Sequence, residues 1–349
     1  MTDSRDRLLA YAMASDGYQR PVLSAYRRQR TMSGTEFRVL YVLGMYHSGT
    51  TLLGNLTGQL DRYFSVGELR SIWRKLTLPH TRCGCGDLLA ACPVWRRILK
   101  TAFGTERDTA ELAREMWQYQ QQAVHEFHTW LQVPSLLRRR GRDLPEGSPL
   151  ARYTEGLARL YQAIAEETSA DVIVDSSKEP TDAAMLLLMQ SVDSRFVHIV
   201  RDPRGVVNSI LRVHAGDRPA AASRWKQSAY TAFSWSAGNL AGTAVRRAAG
   251  KGRSMVLRYE DFIAKPRETM EVLAQHCGRP ALLDSPAEDG TVTIGTTHTV
   301  GGNNNRFRTG PVRVREDTAW RSQMHKLDRA VVTAACAPLM IRYGYRLTN

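Results

Sequence analysis

Two segments of this chain combine glycine, hydroxyl and basic residues in a way that suits anion binding. The first, GMYHSGTT at 44–51, follows the apolar run 37–43 and precedes a stretch with helical leucine spacing at 49–59. A glycine-bounded loop between a strand and a helix presents backbone N–H groups and a helix N-terminus to an anion. The sequence therefore predicts an anion-binding loop here, with a tight turn that binds no ligand as the alternative.

This loop is poorly suited to the hydrolysis of a nucleoside triphosphate. It is similar to the G-x-x-x-x-G-K-[ST] pattern, but Thr50 occupies the lysine position and the basic residue within the loop is His47. A triphosphatase uses that lysine on the β- and γ-phosphates, together with Mg²⁺ held by a hydroxyl and an aspartate. A P-loop kinase or nucleotide hydrolase is therefore a second hypothesis rather than the first.

The second segment, RDPRG at 201–205, lies between a predicted strand at 195–200 and a predicted helix at 206–213. Arg201 stands at the carboxyl end of the strand, where ligands bind in parallel sheets. Ser209 follows eight residues later, about two helical turns on. We expect both to face one oxyanion, the alternative being an Arg–Asp ion pair that only fixes the turn. Two separate anion sites imply a ligand with anionic groups at both ends.

Short apolar strands alternate with helical patterns around these motifs. The predicted strands lie at 37–43, 171–175, 195–200 and 253–257, and the predicted helices include 49–59, 153–167, 181–190 and 265–275. This alternation predicts an α/β fold with a central parallel sheet flanked by helices. We expect an N-terminal leader at 1–36 and a single domain at 37–349, with helical insertions at about 70–150 and 212–250.

Further motifs follow in a fixed order. They are CGCG…CPVW at 83–95, DSSK at 175–178, RYED at 258–261 and HTVGGN…RFRTG at 298–310. With HSGTT at 47–51 and RDP…S at 201–209, they resemble the motifs of the bacterial sulfotransferases that depend on PAPS (3′-phosphoadenosine-5′-phosphosulfate). The resemblance spans about residues 37–320 and implies a P-loop-like sulfotransferase fold. It also implies PAPS as co-substrate, PAP (3′-phosphoadenosine-5′-phosphate) as product, and no required metal.

The resemblance also implies a set of nucleotide-binding residues. In that family the first loop holds the 5′-phosphosulfate, the R-D-P…S segment holds the 3′-phosphate, a tyrosine lies by the adenine, and a late loop folds over the 3′-phosphate. The corresponding residues here are Tyr46, His47, Ser48, Gly49, Thr50, Thr51, Arg201, Ser209, Tyr259, Arg306, Phe307, Arg308, Thr309 and Gly310.

Sulfuryl transfer needs a base for the acceptor proton and a cation on the bridging oxygen, by analogy with phosphoryl transfer. Glu68 matches the catalytic glutamate of some relatives, the alternative being a carboxylate that stabilises a helix N-terminus. His47 stands where relatives carry Lys or Arg, and it is the other candidate base. The leaving-group role stays open between His47 and Lys178, whose alternative is a surface ion pair with Glu179.

The composition and the charge bear on which classes of molecule the chain binds. The net charge is +14, and all but seven of the 48 basic residues Lys and Arg are Arg, but no recognition motif for nucleic acid accompanies them. A nucleic-acid-binding or non-catalytic polyanion-binding protein is the third hypothesis. There is neither a signal-peptide pattern nor an apolar run near the ~20 residues of a membrane span. We expect a cytoplasmic enzyme that acts on a small-molecule, carbohydrate or natural-product acceptor, in an undetermined oligomeric state.

The cysteines are few and odd in number, which argues against a disulfide framework. Cys83, Cys85 and Cys92 form a C-x-C-x₆-C segment, and His80 is a nearby candidate for a fourth ligand. The spacing is not one of the common zinc patterns. We therefore expect structural thiols, with a metal site or a disulfide as the alternatives.

Overall fold

A computed structural model describes residues 37–104, 108–124, 129–213, 221–281 and 291–348, so the predicted leader at 1–36 lies outside the described residues. The strands are β1 (Arg38–Gly44), β2 (Tyr63–Gly67), β3 (Val172–Lys178), β4 (Asp193–Val200), β5 (Ser254–Arg258), β6 (Thr291–Ile294) and β7 (Gly310–Arg313). The α-helices are α1 (Thr50–Thr57), α2 (Ile72–Leu76), α3 (Pro93–Phe103), α4 (Thr109–Ala123), α5 (Val133–Leu137), α6 (Pro149–Thr168), α7 (Pro180–Leu186), α8 (Pro203–Val213), α9 (Ala221–Ala249), α10 (Tyr259–Ala264), α11 (Pro266–His276), α12 (Trp320–Gln323) and α13 (Lys326–Arg342).

The central sheet is parallel, with strand order β2-β3-β1-β4-β5. β1 lies in the middle, and its successive side chains enter two different cores. Tyr41 and Leu43 pack with the helices on one face, whereas Leu40 and Val42 pack on the other face. A strand that is apolar at every position suits this place, because both of its faces are covered. The predicted α/β class with a helix-flanked parallel sheet is confirmed.

The four strands predicted from the sequence correspond to β1, β3, β4 and β5. The strand missed is β2, which contains YFSVG and ends just before Glu68. It is five residues long and pairs with β3 alone at the edge of the sheet, so its sequence needs no long apolar run. The second element missed is a small antiparallel ribbon of β6 and β7.

The helices surround the sheet and extend one side of it. The segments in which helical insertions were predicted contain α2–α5 and α9, and α9 is 29 residues long. A third apolar cluster joins α8 and α9 to α13 through side chains such as Val207, Trp235 and Leu339. None of the described helices combines the length and the apolar character that a membrane crossing requires.

Candidate functional site

The five parallel strands end at one edge of the sheet, and each leads directly to a residue that the sequence analysis singled out. β1 leads to the loop 45–49, β2 to Glu68, β4 to Arg201 and β5 to Tyr259, while Lys178 is the last residue of β3. Because parallel strands share their direction, side chains that are far apart in sequence meet at this edge. The edge borders a cavity of about 540 Å³.

The loop after β1 has the backbone conformation of an anion cradle. His47 and Gly49 have φ angles of 64° and 85°. A Cβ on Gly49 would lie 2.6 Å from Cδ2 of Tyr259, so a glycine is required where the loop passes the ring. α1 begins at Thr50 without a side-chain cap, which leaves its first N–H groups available to an anion. The buried Oγ of Ser48 has no hydrogen-bond partner among the described residues.

Arg201 and Ser209 both contact His47. Nη1 of Arg201 donates to the carbonyl oxygen of His47 at 2.7 Å, and Oγ of Ser209 lies 2.9 Å from Nδ1 of the imidazole. The guanidinium from the end of β4 and the hydroxyl from α8 therefore meet at the first loop, and all three residues line the same cavity.

The aspartate of the R-D-P motif does not pair with Arg201. Asp202 instead binds the buried guanidinium of Arg204, with Nη2 and Oδ2 2.6 Å apart. This pair fixes the turn between β4 and α8, as the alternative interpretation of the motif proposed, but it does so through Arg204. Arg201 is thereby left to face the cavity.

Arg201 is held in place by side chains that come much later in the sequence. Its Nη2 lies 3.2 Å from Oδ2 of Asp317, and its Cζ lies 4.5 Å from the ring centre of Tyr259. Partial burial would raise the pKa of Asp317, but the N–H of Ala319 and the guanidinium of Arg201 outweigh it and lower that pKa. A carboxylate thus occupies one side of a guanidinium whose geometry also suits a phosphate.

Glu68 and Lys178 form an ion pair across the cavity edge. Nζ of Lys178 donates to Oε1 of Glu68, and it also lies 5.2 Å from the ring centre of Tyr46. The Lys178 side chain is 5% exposed and the Glu68 side chain 22%, so the carboxylate is the more accessible partner. Tyr46 in turn donates its hydroxyl to Glu179 at 3.1 Å.

A buried network at the end of β3 positions Lys178. Asp175 accepts hydrogen bonds from the hydroxyl of Tyr161 at 2.6 Å and from the N–H of Ser177 at 2.9 Å. Burial is the main reason why the pKa of Asp175 is raised to about 6. Oγ of Ser177 accepts the N–H of Arg70 at 3.0 Å, which ties the end of β3 to the turn after β2. Lys178 itself has a φ of 74°, an unfavourable backbone conformation for a lysine that this network sustains.

The late loop contributes to the cavity differently from the pattern that the resemblance implied. Of the described residues 306–310, Arg308 lines the cavity. The guanidinium of Arg306 is buried instead, donating to the carbonyl oxygens of Thr299 at 2.8 Å and Arg82 at 2.9 Å. Because residues 304–307 form a tight 3₁₀ turn, neighbouring side chains point in different directions. The implied nucleotide-binding residues that do not line this cavity are Ser48, Arg306, Phe307, Thr309 and Gly310.

Several cavity residues carry no motif that the sequence analysis could use. They come from α1, from the 3₁₀ turn, and from β7 and the residues just after it. They include Asn55, Asn305, Arg313 and Arg315. The cationic Arg308, Arg313 and Arg315 line the same cavity as Arg201, and their positive charge favours an anionic ligand.

A second cavity, of about 440 Å³, adjoins the first. The two share Tyr46 and Lys178 in their linings. The second cavity is lined by side chains of α9 such as Tyr230 and Thr231, and by Trp130. Lys178, with its partner Glu68, therefore stands where the two spaces meet.

Comparisons with known proteins agree with this architecture. A family model described as "Sulfotransferase family" matches residues 40–284, well over half of the chain. The fold is similar to that of the "Sulfotransferase Domain from the Curacin Biosynthetic Pathway", which is 14% identical, with a TM-score of 0.51 over 89% of this chain and 98% of that one. It is also similar to the "Sulfotransferase Domain from the Synechococcus PCC 7002 Olefin Synthase", which is 15% identical, with a TM-score of 0.50 over 95% of this chain and 99% of that one. No curated protein matches the chain. These findings confirm the resemblance drawn from the motifs.

Proposed function

The chain belongs to the sulfotransferase family, and from this premise we propose that it moves a sulfuryl group from PAPS to a hydroxyl or amine of a small-molecule, carbohydrate or natural-product acceptor, releasing PAP. The observation that carries the proposal is the meeting of two cavities at Lys178 and Tyr46. The larger cavity suits an anionic donor, and the smaller cavity suits an acceptor. The ion pair of Glu68 and Lys178 lies between them.

The residues of the larger cavity fit a nucleotide with anionic groups at two ends. The first loop offers the N–H groups of α1 to the 5′-phosphosulfate. Arg201 and Ser209 offer a guanidinium and a hydroxyl to the 3′-phosphate, and the ring of Tyr259 offers a flat surface to the adenine.

Glu68 is the proposed base. The acceptor oxygen attacks sulfur, the bond between sulfur and the bridging oxygen of PAPS breaks, and the proton of the acceptor passes to the Glu68 carboxylate. His47 is a weaker candidate for this role, because its Nδ1 already contacts Oγ of Ser209. Glu68, in contrast, is paired with the lysine that borders both cavities.

Lys178 is the proposed cation for the leaving group. When Glu68 accepts the proton, it becomes neutral and its ion pair with Lys178 weakens. The ammonium can then donate to the bridging oxygen as negative charge builds on PAP. Glu68 thus takes the proton of the acceptor, and Lys178 stabilises the negative charge of the leaving group. The transfer itself needs no metal, since a phosphate is already a stable leaving group.

The smaller cavity is the proposed acceptor site. Its lining combines aromatic rings, Trp130 and Tyr230, with polar side chains such as Gln227 and Ser234. An aromatic and partly polar lining suits a small organic acceptor that carries hydroxyl groups. The structural relatives named for the curacin pathway and for an olefin synthase support a natural product as that acceptor.

The proposal is tested by transfer of ³⁵S from labelled PAPS to a library of hydroxylated and amino acceptors. We expect labelled product, and we expect PAP to raise the melting temperature. Absence of PAP binding at millimolar concentration would contradict the proposed donor. Mg²⁺-dependent ATP turnover that is lost in Thr51→Ala would instead support the kinase or hydrolase hypothesis.

A further inference from the structure

Three cysteines and one histidine meet outside the cavity. Cys83, Cys85 and Cys92 come from the CGCG…C segment, and His298 comes from the beginning of the late loop, 206 residues after Cys92. Their three Sγ atoms and one histidine nitrogen all lie within 4.8 Å of one another. None of the four is among the described residues that line the cavity of the proposed donor.

The distances within this cluster match the edges of a tetrahedral metal site. Zn–S bonds of about 2.3 Å and Zn–N bonds of about 2.0 Å place tetrahedral ligands about 3.8 Å apart for two sulfurs and about 3.5 Å apart for sulfur and nitrogen. Sγ of Cys85 and Sγ of Cys92 are 3.8 Å apart. Nδ1 of His298 is 3.4 Å from Sγ of Cys92 and 3.7 Å from Sγ of Cys83. The side chains thus surround a space of the size that one Zn²⁺ needs.

The four ligands are carried by segments that backbone hydrogen bonds and a helix hold in place. Cys83 and Cys85 lie in a tight hairpin, in which the N–H of Cys83 donates to Asp87 at 2.8 Å and the N–H of Gly86 donates to Cys83 at 2.9 Å. Cys92 directly precedes α3, whose first residue is a proline. Such a frame fixes the sulfur positions before any ligand binds.

His298 is oriented by contacts on both sides. Its ring stacks on Phe64 with an interplanar angle of 14°, and its carbonyl oxygen accepts Nε1 of Trp95 at 2.8 Å. The next residue accepts the N–H of Gly84 at 3.0 Å, so the late loop and the hairpin are joined by backbone as well. These contacts hold Nδ1 towards the three sulfurs.

We propose that Cys83, Cys85, Cys92 and His298 bind one structural Zn²⁺. Three cysteines and one histidine are a known structural zinc set, and four protein ligands leave no open position for catalysis. On binding, each cysteine gives its proton to solvent and coordinates as a thiolate, and the imidazole coordinates in its neutral form. All five cysteines of the chain are free thiols in the structure.

The fourth ligand differs from the nearby candidate in the sequence. His80 is exposed and is not part of the cluster, whereas His298 belongs to it. The C-x-C-x₆-C segment supplies three of the four ligands, and the fourth comes from a distant segment. The segment therefore does not match a compact zinc motif that carries all its ligands. Only the folded chain brings the histidine to the cysteines.

The position of this site gives it a role in forming the donor cavity. Two residues beyond His298, the N–H of Val300 donates to the carbonyl oxygen of Val66 at 2.9 Å, at the end of β2. Gly67 is so close to the late loop that a Cβ there would lie 2.6 Å from the carbonyl oxygen of Gly301. Zn²⁺ would therefore anchor the late loop against the strand that leads to Glu68.

The metal content of the full-length protein tests this proposal without reference to activity. The protein is purified without a metal-affinity tag, dialysed, and analysed by mass spectrometry for zinc. We expect about one zinc per chain, and a loss of about tenfold in Cys92→Ser and in His298→Ala. The matched controls are Cys277→Ser and Cys336→Ser, which also remove a buried free thiol but lie outside the cluster, and they should retain the metal.

A second measurement uses the wild-type protein alone, in case the variants fail to fold. After removal of zinc and addition of Co²⁺, the visible spectrum should show the intense bands of tetrahedral cobalt and a thiolate-to-cobalt charge-transfer band. Folded protein that binds neither zinc nor cobalt would overturn the proposal. A disulfide between any two of the three cysteines in freshly purified protein would overturn it as well.

Discussion

Glu68 and Lys178 are 110 residues apart in sequence, and their side chains form the ion pair that separates the two cavities. Exchanging the carboxylate for an amide keeps the size of the side chain and an oxygen that can accept from Lys178. It removes the ability to accept a proton. Binding of the donor and transfer to the acceptor should therefore respond differently to this change.

For Glu68→Gln we expect a loss of about 10²- to 10⁴-fold in kcat, the usual contribution of a general base, with PAP affinity nearly unchanged. Transfer of ³⁵S and calorimetric titration with PAP measure the two quantities. The control is Glu166→Gln, an exposed carboxylate that contacts Gln162 and should keep full activity. Full activity in Glu68→Gln would show that the base is another residue.

Arg201→Ala and Ser209→Ala should act on binding. Each removes a group that lines the donor cavity and contacts His47. Because a hydrogen bond to a charged group contributes about 1.5–3 kcal/mol, we expect PAP affinity to fall by about 10- to 100-fold in each variant. Arg267→Ala removes an exposed positive charge on α11 and is the control for net charge. Equal PAP affinity in all three variants and the wild type would argue against the proposed 3′-phosphate site.

The loop between β1 and α1 depends on one glycine for its shape. Gly49 has a positive φ and also faces the ring of Tyr259, whereas Gly104, at the end of α3, has nearly the same φ with no neighbouring atom in the way. Both positions need a positive φ, but ψ is 8° at Gly49 and 174° at Gly104. Gly104 therefore serves as a control for backbone strain without a contact to the ring.

Gly49→Ala should disturb the loop, because the new Cβ meets Tyr259 at 2.6 Å. We expect PAP affinity to fall at least about tenfold, since the backbone N–H groups of the loop move away from the donor phosphate. Gly104→Ala should cost at least as much backbone energy, because the conformation with φ 86° and ψ 174° is essentially limited to glycine, but it should keep PAP affinity. Calorimetric titration and thermal unfolding of both variants measure these effects, and unchanged affinity in Gly49→Ala would contradict the proposed role of the loop.

At the scale of the whole molecule, a buried histidine links stability to pH. His198 on β4 is 1% exposed, and its Nε2 contacts Oδ1 of Asn239 at 2.9 Å. Burial lowers the pKa of His198 from 6.5 to about 4. Between these values the unfolded chain takes up a proton that the folded chain does not. The contribution of His198 to stability is therefore present above pH 6.5 and is lost as the pH falls towards 4.

Between pH 7.5 and pH 5, the free energy of unfolding of the wild type should fall by about 2 kcal/mol more than that of His198→Gln. Urea unfolding at several pH values measures this difference in slope. The raised pKa of Asp175 acts in the opposite direction, and because it is common to both proteins it cancels in the comparison. Parallel pH profiles for the two proteins would show that His198 does not carry the effect.

The sequence by itself determined the strand–loop–helix units, the family and the residue types of the site. Glycine at 44 and 49, the arginine at the end of β4 and the DSSK segment are local patterns. Each one reflects backbone conformation or chemistry within a few neighbouring residues. The α/β fold could be inferred for the same reason, because apolar strands and amphipathic helices alternate along the chain.

Only the tertiary structure decided which of these residues meet. The strand order brings Glu68 to Lys178, the tight turn at 304–307 puts Arg308 rather than Arg306 at the cavity, and the late loop brings His298 to the cysteines. Such contacts join positions that lie far apart in the sequence. They depend on how distant helices, strands and loops pack against one another, and a local sequence pattern does not determine this packing.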